Sequence, residues 1–126
     1  MKKPLLPKPF ALGAPQGDGA SSGSLDVLSL GRNGVIVLDF TDIAVTDGPG
    51  VDLLVFENAF IKPSGKPFAE TGVVAVSDDG VTWHEFPCAS ADVANDSPGC
   101  AGVTPVYSHP SNGIPATDPA VAGGDG

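Results

Sequence analysis

An all-β sandwich is the fold class this sequence predicts, and three observations predict it. Glycine and proline together make 30 of the 126 residues, about 24 per cent, a density at which ordered chain comes in short pieces between many turns. Runs rich in Val, Leu, Ile and Phe recur between those turns at roughly regular spacing. No heptad, no internal repeat and no helical period longer than a turn or two accompanies them. The length suits one domain that buries roughly two thirds of its unfolded surface. Leu, Ile, Val and Phe number 33, about 26 per cent, above the ~20 per cent below which chains stay disordered.

Residues 1–23 are rich in Pro, Gly, Ala and Ser and show neither strand nor helix period, so they read as an extended entry segment to which Phe10 and Leu12 supply anchors. The sandwich domain is expected over residues 24–126. Its first strands are residues 25–30 and 35–40, joined by a turn at Gly31, Arg32, Asn33 and Gly34. The second of these is apolar on both faces, as a central strand would be. After a polar turn around Asp47, Gly48 and Gly50, residues 51–58 read as another strand, ending abruptly in Glu57 and Asn58. Residues 59–71 read as a loop carrying Lys62 and Lys66. The clearest local signal follows, in which Val73 to Ser77 and Val81 to Phe86 flank Asp78, Asp79 and Gly80. An Asp-Gly pair between two β-rich runs predicts a hairpin, because glycine takes the positive φ that the turn demands. Alternation places Val81, Trp83 and Glu85 on one face, with Trp83 packed in the core beside Val81, and Thr82, His84 and Phe86 on the other.

The formal net charge is −9, and it is unevenly placed, since no Lys or Arg follows Lys66 while eight acids run from Glu70 to Asp125. Nucleic acid and anionic lipid are held mainly by Lys and Arg, so neither is expected as a partner. No stretch approaches about 18 apolar residues, so no membrane-inserted helix is expected. Twelve of the fifteen acids are Asp, a bias that places carboxylates in turns rather than on helix faces. Turn chemistry and solubility explain such a bias, and so does calcium, which takes about six to eight oxygen ligands in irregular loop geometry.

Cys88 and Cys100 enclose a segment of Asp, Asn, Ser, Pro and Gly that reads as a surface loop. A disulfide between them is the expectation, with an oxidising compartment as its corollary: extracellular, cell surface or periplasmic. The first residues carry the charge of a signal peptide, but prolines and Lys8 interrupt any apolar stretch. Either an export signal lies upstream of a misplaced start, or the chain is cytoplasmic.

The hairpin from Val76 to Trp83 resembles the V-S-x-D-G-x-x-W hairpin of discoidin-like, galactose-binding-like jelly-roll modules. It also approaches the aspartate box of sialidase propellers, but Asp79 and Gly80 are adjacent here and one box does not make a propeller. A longer combination resembles a family of bacterial, myxobacterial-type cell-surface proteins. It comprises residues 24–31, residues 47–58, the hairpin, Cys88, and Cys100 with Ala101, Gly102 and Val103. The resemblance extends over residues 12–125 and implies a jelly-roll β-sandwich at the cell surface. It further implies a closing strand beyond Gly126, so that this chain would be C-terminally truncated with an unpaired edge beside the hairpin.

In a sandwich, strand ends converge at the rims, where carboxylates distant in sequence can meet around one ion. Asp26, Asp47, Glu57, Asn58, Asp118 and Asp125 are the candidate calcium ligands, with Glu57 and Asn58 at their centre and Asx turns or plain solvation as the alternative for each. Asp52 shares the same kind of turn. His84 and His109 are too few and too far apart for zinc. No nucleophile elbow, dinucleotide loop or EF-hand spacing occurs, and no catalytic residue is expected. Trp83 and Tyr107, with Phe60, are the residues that could stack on sugar rings. The expected role is thus a non-catalytic secreted or surface module for adhesion or surface architecture, with a structural calcium ion and a glycan or surface protein as partner. A carbohydrate-binding module is the alternative, and a hydrolase the third class.

Overall fold

The computed structural model describes residues 20–23, 25 and 27–107. Within them four short strands form two separate antiparallel pairs. Strand β1 (Phe60–Ile61) pairs with β2 (Pro67–Phe68), and β3 (Ala75–Val76) pairs with β4 (His84–Glu85). A three-residue 3-10 turn, Val93–Asn95, follows β4. Among the described residues no helix is long and apolar enough to cross a membrane.

The β1–β2 hairpin occupies the segment that composition reads as a loop. Pro63, Ser64 and Gly65 suggest that reading, yet they supply the turn of the hairpin itself. Lys62 N–H donates to the Lys66 carbonyl and Gly65 N–H to the Lys62 carbonyl, both at 2.8 Å, with Gly65 at φ +78°. Phe60 lies opposite Phe68, and their rings stack at 5.0 Å between centroids. Such a pair contributes roughly 0.5–1.5 kcal/mol beyond its buried area. Ile61 faces Pro67 and sends its own N–H to the Ala20 carbonyl at 2.8 Å. The end of the entry segment therefore runs along the free side of β1, and the proline, which has no N–H to give, stands on the outer strand where none is needed.

The β3–β4 hairpin lies where the Asp-Gly signal places it, but with a longer loop. Ala75 opposes Glu85 and Val76 opposes His84, a register centred on Gly80, whose φ is +70°. Phe86 N–H extends the ladder to the Val74 carbonyl at 2.9 Å. Seven residues separate the paired strands because Asp79 captures the backbone first. Its Oδ1 accepts from Val81 N–H at 2.8 Å and Thr82 N–H at 2.7 Å. Ser77 Oγ accepts from Gly80 N–H at 2.9 Å. Side-chain acceptors thus take the donors that a tight turn would direct across the strands. Trp83 falls in this loop rather than in a strand and is 43 % exposed, beside Val81 at 82 %, which corrects the expectation that both pack in a core.

Two further expectations are corrected. Residues 27–30 and 35–40 flank a turn closed by Gly34 N–H to the Gly31 carbonyl at 3.3 Å, but no ladder extends from it. Asn33, the third residue of that turn, has φ +58°, as in the unprimed type that splays flanking strands rather than matching their twist. Without a ladder the run meant to be central stays open to solvent, with Val35 84 % and Val37 65 % exposed. Residues 51–58 likewise run without strand pairing, half-buried at most positions.

Burial concentrates where the later loops meet. Ala59, Ser97, Cys100 and Val106 are the buried residues among those described. Gly72 and Ala101 exchange both N–H donors at 3.0 Å, and Cys88 bonds to Cys100 with Cα atoms 4.4 Å apart. This disulfide joins the end of the β4 segment to the chain that carries Ala101 and Gly102. The loop it closes is internally tied. Ala89 N–H reaches the Pro98 carbonyl at 3.0 Å, and Asp92 accepts from the Asn95 amide at 3.0 Å on each carboxylate oxygen. Asp96, Ser97 and Gly99 all take positive φ, and Ser97 turns into the buried centre.

Candidate functional site

Glu57 is the expected ligand whose surroundings are most developed. It follows the run of residues 51–56 and stands two places before buried Ala59. The paired strands β1 and β2 return the chain, and Glu70 N–H then donates to Glu57 Oε2 at 3.2 Å. The Gly72–Ala101 bridge brings a third segment alongside. A β-carbon on Gly102 would stand 2.8 Å from the Glu70 carbonyl oxygen and 3.5 Å from Glu57 Cγ. Glycine at φ +88° lets that backbone close over the carboxylate.

The result is an unequal carboxylate. Oε2 has the Glu70 N–H, while Oε1 is enclosed and has no hydrogen-bond partner. Burial raises the Glu57 pKa; the Glu70 N–H opposes that shift, and the Glu70 carboxylate nearby adds to it. A proton or a cation would satisfy Oε1, because either offsets the loss of the water that would otherwise solvate its negative charge.

The other expected ligands divide. Asn58 is half-buried and turns elsewhere: its amide nitrogen lies beside Gly23, where a β-carbon would meet it at 3.4 Å. Neighbouring residues of extended chain point to opposite sides, so Glu57 and Asn58 address different surroundings. Asp47 is exposed. Its neighbour Gly48 donates its N–H to Asp52 Oδ2 at 3.2 Å, which assigns Asp52 to turn closure. Asp26, Asp118 and Asp125 lie outside the described residues, as does His109. Among the described residues no three His, Cys, Asp or Glu side chains gather as a metal group would. Among the expected ligands that are described, Glu57 is the one with an enclosed, unpartnered carboxylate oxygen.

Among the described residues Asp79 is the most heavily bonded acid. Besides two backbone N–H groups it accepts from Ser77 Oγ at 3.0 Å and Thr82 Oγ1 at 3.2 Å. These donors, the Thr82 and Val81 N–H groups first, hold its pKa down at about 2. These bonds, three of them to Oδ1, make it a turn former. Of the two stacking candidates, Trp83 is partly exposed where the hairpin loop enters β4 and Tyr107 is half-buried.

Sequence reasoning did not single out Glu70 or Gly102 as partners of Glu57. Glu70 stands 13 positions away, and only the β1–β2 hairpin brings it back. Gly102, two places after Cys100, is the position a reader could have found, since a disulfide-anchored strand followed by glycine suggests a close backbone approach. Comparison of the chain with models of protein families, with characterised proteins and with solved structures gives no match.

Proposed function

We infer that this chain is a non-catalytic module of the secreted or cell-surface space, a β-sandwich of jelly-roll type that serves adhesion or surface architecture. The Cys88–Cys100 disulfide carries this reading, since such bonds persist outside the reducing cytosol and brace small domains rich in loops. The resemblance to bacterial cell-surface proteins supports it, as does the excess of acid over base. The test is to trap thiols in intact producing cells with an impermeant alkylating reagent and then to add protease. An oxidised Cys88–Cys100 pair, with the chain cleaved from outside, is the expected result. Two free thiols in a protected chain would overturn the reading.

A structural calcium ion belongs to the same proposal, with Glu57 as its principal ligand and the enclosed Oε1 as the observation in favour. Calcium would neutralise that carboxylate and tie together the segments that carry Glu57, Glu70 and Gly102.

A carbohydrate-binding module is the second reading, favoured by the exposure of Trp83 beside β4. An indole offered to solvent can stack on a sugar ring, with Tyr107 as a second contact. Glycan-array binding that disappears in Trp83→Ala, at an unchanged melting temperature, would establish it. An array without binding would leave adhesion to a protein surface.

A further inference from the structure

Asn33-Gly34 and Asp79-Gly80 are two of the three Asx-Gly pairs among the described residues, Asp47-Gly48 being the other, and the fold treats these two in opposite ways. At the first, Asn33 is exposed and its side-chain amide makes no hydrogen bond among the described residues. Its φ of +58° lies in the left-handed region that Asn, Asp and Gly tolerate best. Gly34 is required as well, since a β-carbon there would collide with the Leu30 carbonyl. The turn therefore selects the pair in which the side-chain amide is followed by the least hindered backbone nitrogen. The one hydrogen bond that engages this nitrogen, to the Gly31 carbonyl, is long at 3.3 Å.

At the second turn both reacting groups are occupied. Gly80 N–H donates to Ser77 Oγ at 2.9 Å. The Asp79 carboxylate accepts from Ser77, Val81 and Thr82, four donors in all.

We propose that Asn33-Gly34 is a spontaneous modification site, where the chain converts Asn33 to aspartate and isoaspartate, while the hydrogen-bonded Asp79-Gly80 turn is protected from the equivalent isomerisation. The Gly34 backbone nitrogen attacks Cγ of Asn33 and a new N–Cγ bond closes a five-membered succinimide. The Cγ–Nδ2 bond breaks, and ammonia leaves with the proton that Gly34 N gives up. Water then adds to either ring carbonyl and opens the ring to aspartate or isoaspartate. No oxidant or reductant is consumed. At Asp79 the same closure would expel water and needs the neutral carboxylic acid. With the pKa near 2 rather than 3.8, the neutral fraction falls roughly sixtyfold at any pH above both values. Conversion of Asn33 places a new negative charge between two exposed apolar runs, residues 27–30 and 35–40.

The experiment incubates the oxidised full chain in mildly alkaline, amine-free buffer beside synthetic peptides of residues 29–38 and 74–86. Products are then mapped by proteolysis, mass spectrometry and isoaspartate-specific methyl labelling. The expected rate at Asn33 is within about threefold of its peptide, because an exposed turn opens at almost no cost. At Asp79 the expected rate is at least about tenfold below its peptide, in line with the depleted neutral acid. Asn33→Gly, which keeps the turn and removes the amide, should abolish the product at 33. Slow conversion at Asn33, or isomerisation of Asp79 as fast as in its peptide, would overturn the proposal.

Discussion

Glu57 turns one carboxylate oxygen to the Glu70 N–H at 3.2 Å and keeps the other enclosed without a partner. Three segments meet around this carboxylate, so its charge state bears on how well they stay together. The sign follows from the raised pKa. A raised carboxyl favours the folded state below its unfolded value of 4.5, and that contribution is lost as pH rises through the raised value.

Glu57→Gln should accordingly flatten the pH dependence of the melt above 4.5 and, in chelator at neutral pH, melt no lower than the parent. In millimolar calcium the parent should gain up to about 2.7 kcal/mol if the ion is present at a hundred times its dissociation constant. The variant should not, and magnesium should not replace calcium. An equal gain in both proteins would remove Glu57 from the site.

Gly102 and Gly65 both have positive φ, +88° and +78°, but only Gly102 faces neighbouring atoms at the β-carbon position. Gly65→Ala should therefore cost only the left-handed penalty, about 1–2 kcal/mol. Gly102→Ala should cost more, about 2–3 kcal/mol, since a β-carbon there also displaces the Glu70 carbonyl. Urea denaturation of the two variants measures the difference, and equal losses would mean that Gly102 does not close over Glu57.

The disulfide closes a loop of sequence separation 12, for which restriction of the unfolded chain is worth about 3 kcal/mol. Replacing Cys88 and Cys100 together by Ser should lower stability by that order. Amide exchange in that variant should quicken first at positions 97 and 100, whose N–H groups in the parent close the loop's internal turns on the Asp92 and Ser97 carbonyls.

Asp79 has a depressed pKa, so the sign is reversed. Its stabilising contribution is present above 3.8 and lost as pH falls through about 2. Proton NMR should show the Val81 and Thr82 amides shifting with a midpoint near 2. In Asp79→Ala these two amides should lose exchange protection while the Ala75–Glu85 pair is kept. A midpoint near 3.8 would mean that the side chain does not hold the turn.

The sequence by itself determined the features that depend on a few adjacent residues. Asp79 and Gly80 specify a hairpin centre because a carboxylate and a positive φ act within one turn. Cys88 and Cys100 specify a closed loop because the residues between them form no core. Tertiary structure decided everything that rests on chain return. It made a hairpin of residues 60–68, where Pro63, Ser64 and Gly65 suggest a loop, because stacking of Phe60 on Phe68 outweighs local composition. It left residues 35–40 unpaired because the turn at Asn33 has the hand that splays strands. Among the expected ligands it enclosed Glu57, turned Asn58 toward Gly23, and chose Glu70 and Gly102 as the neighbours of Glu57. Such contacts join residues far apart along the chain, and burial, unlike turn geometry, is a property of what arrives from elsewhere.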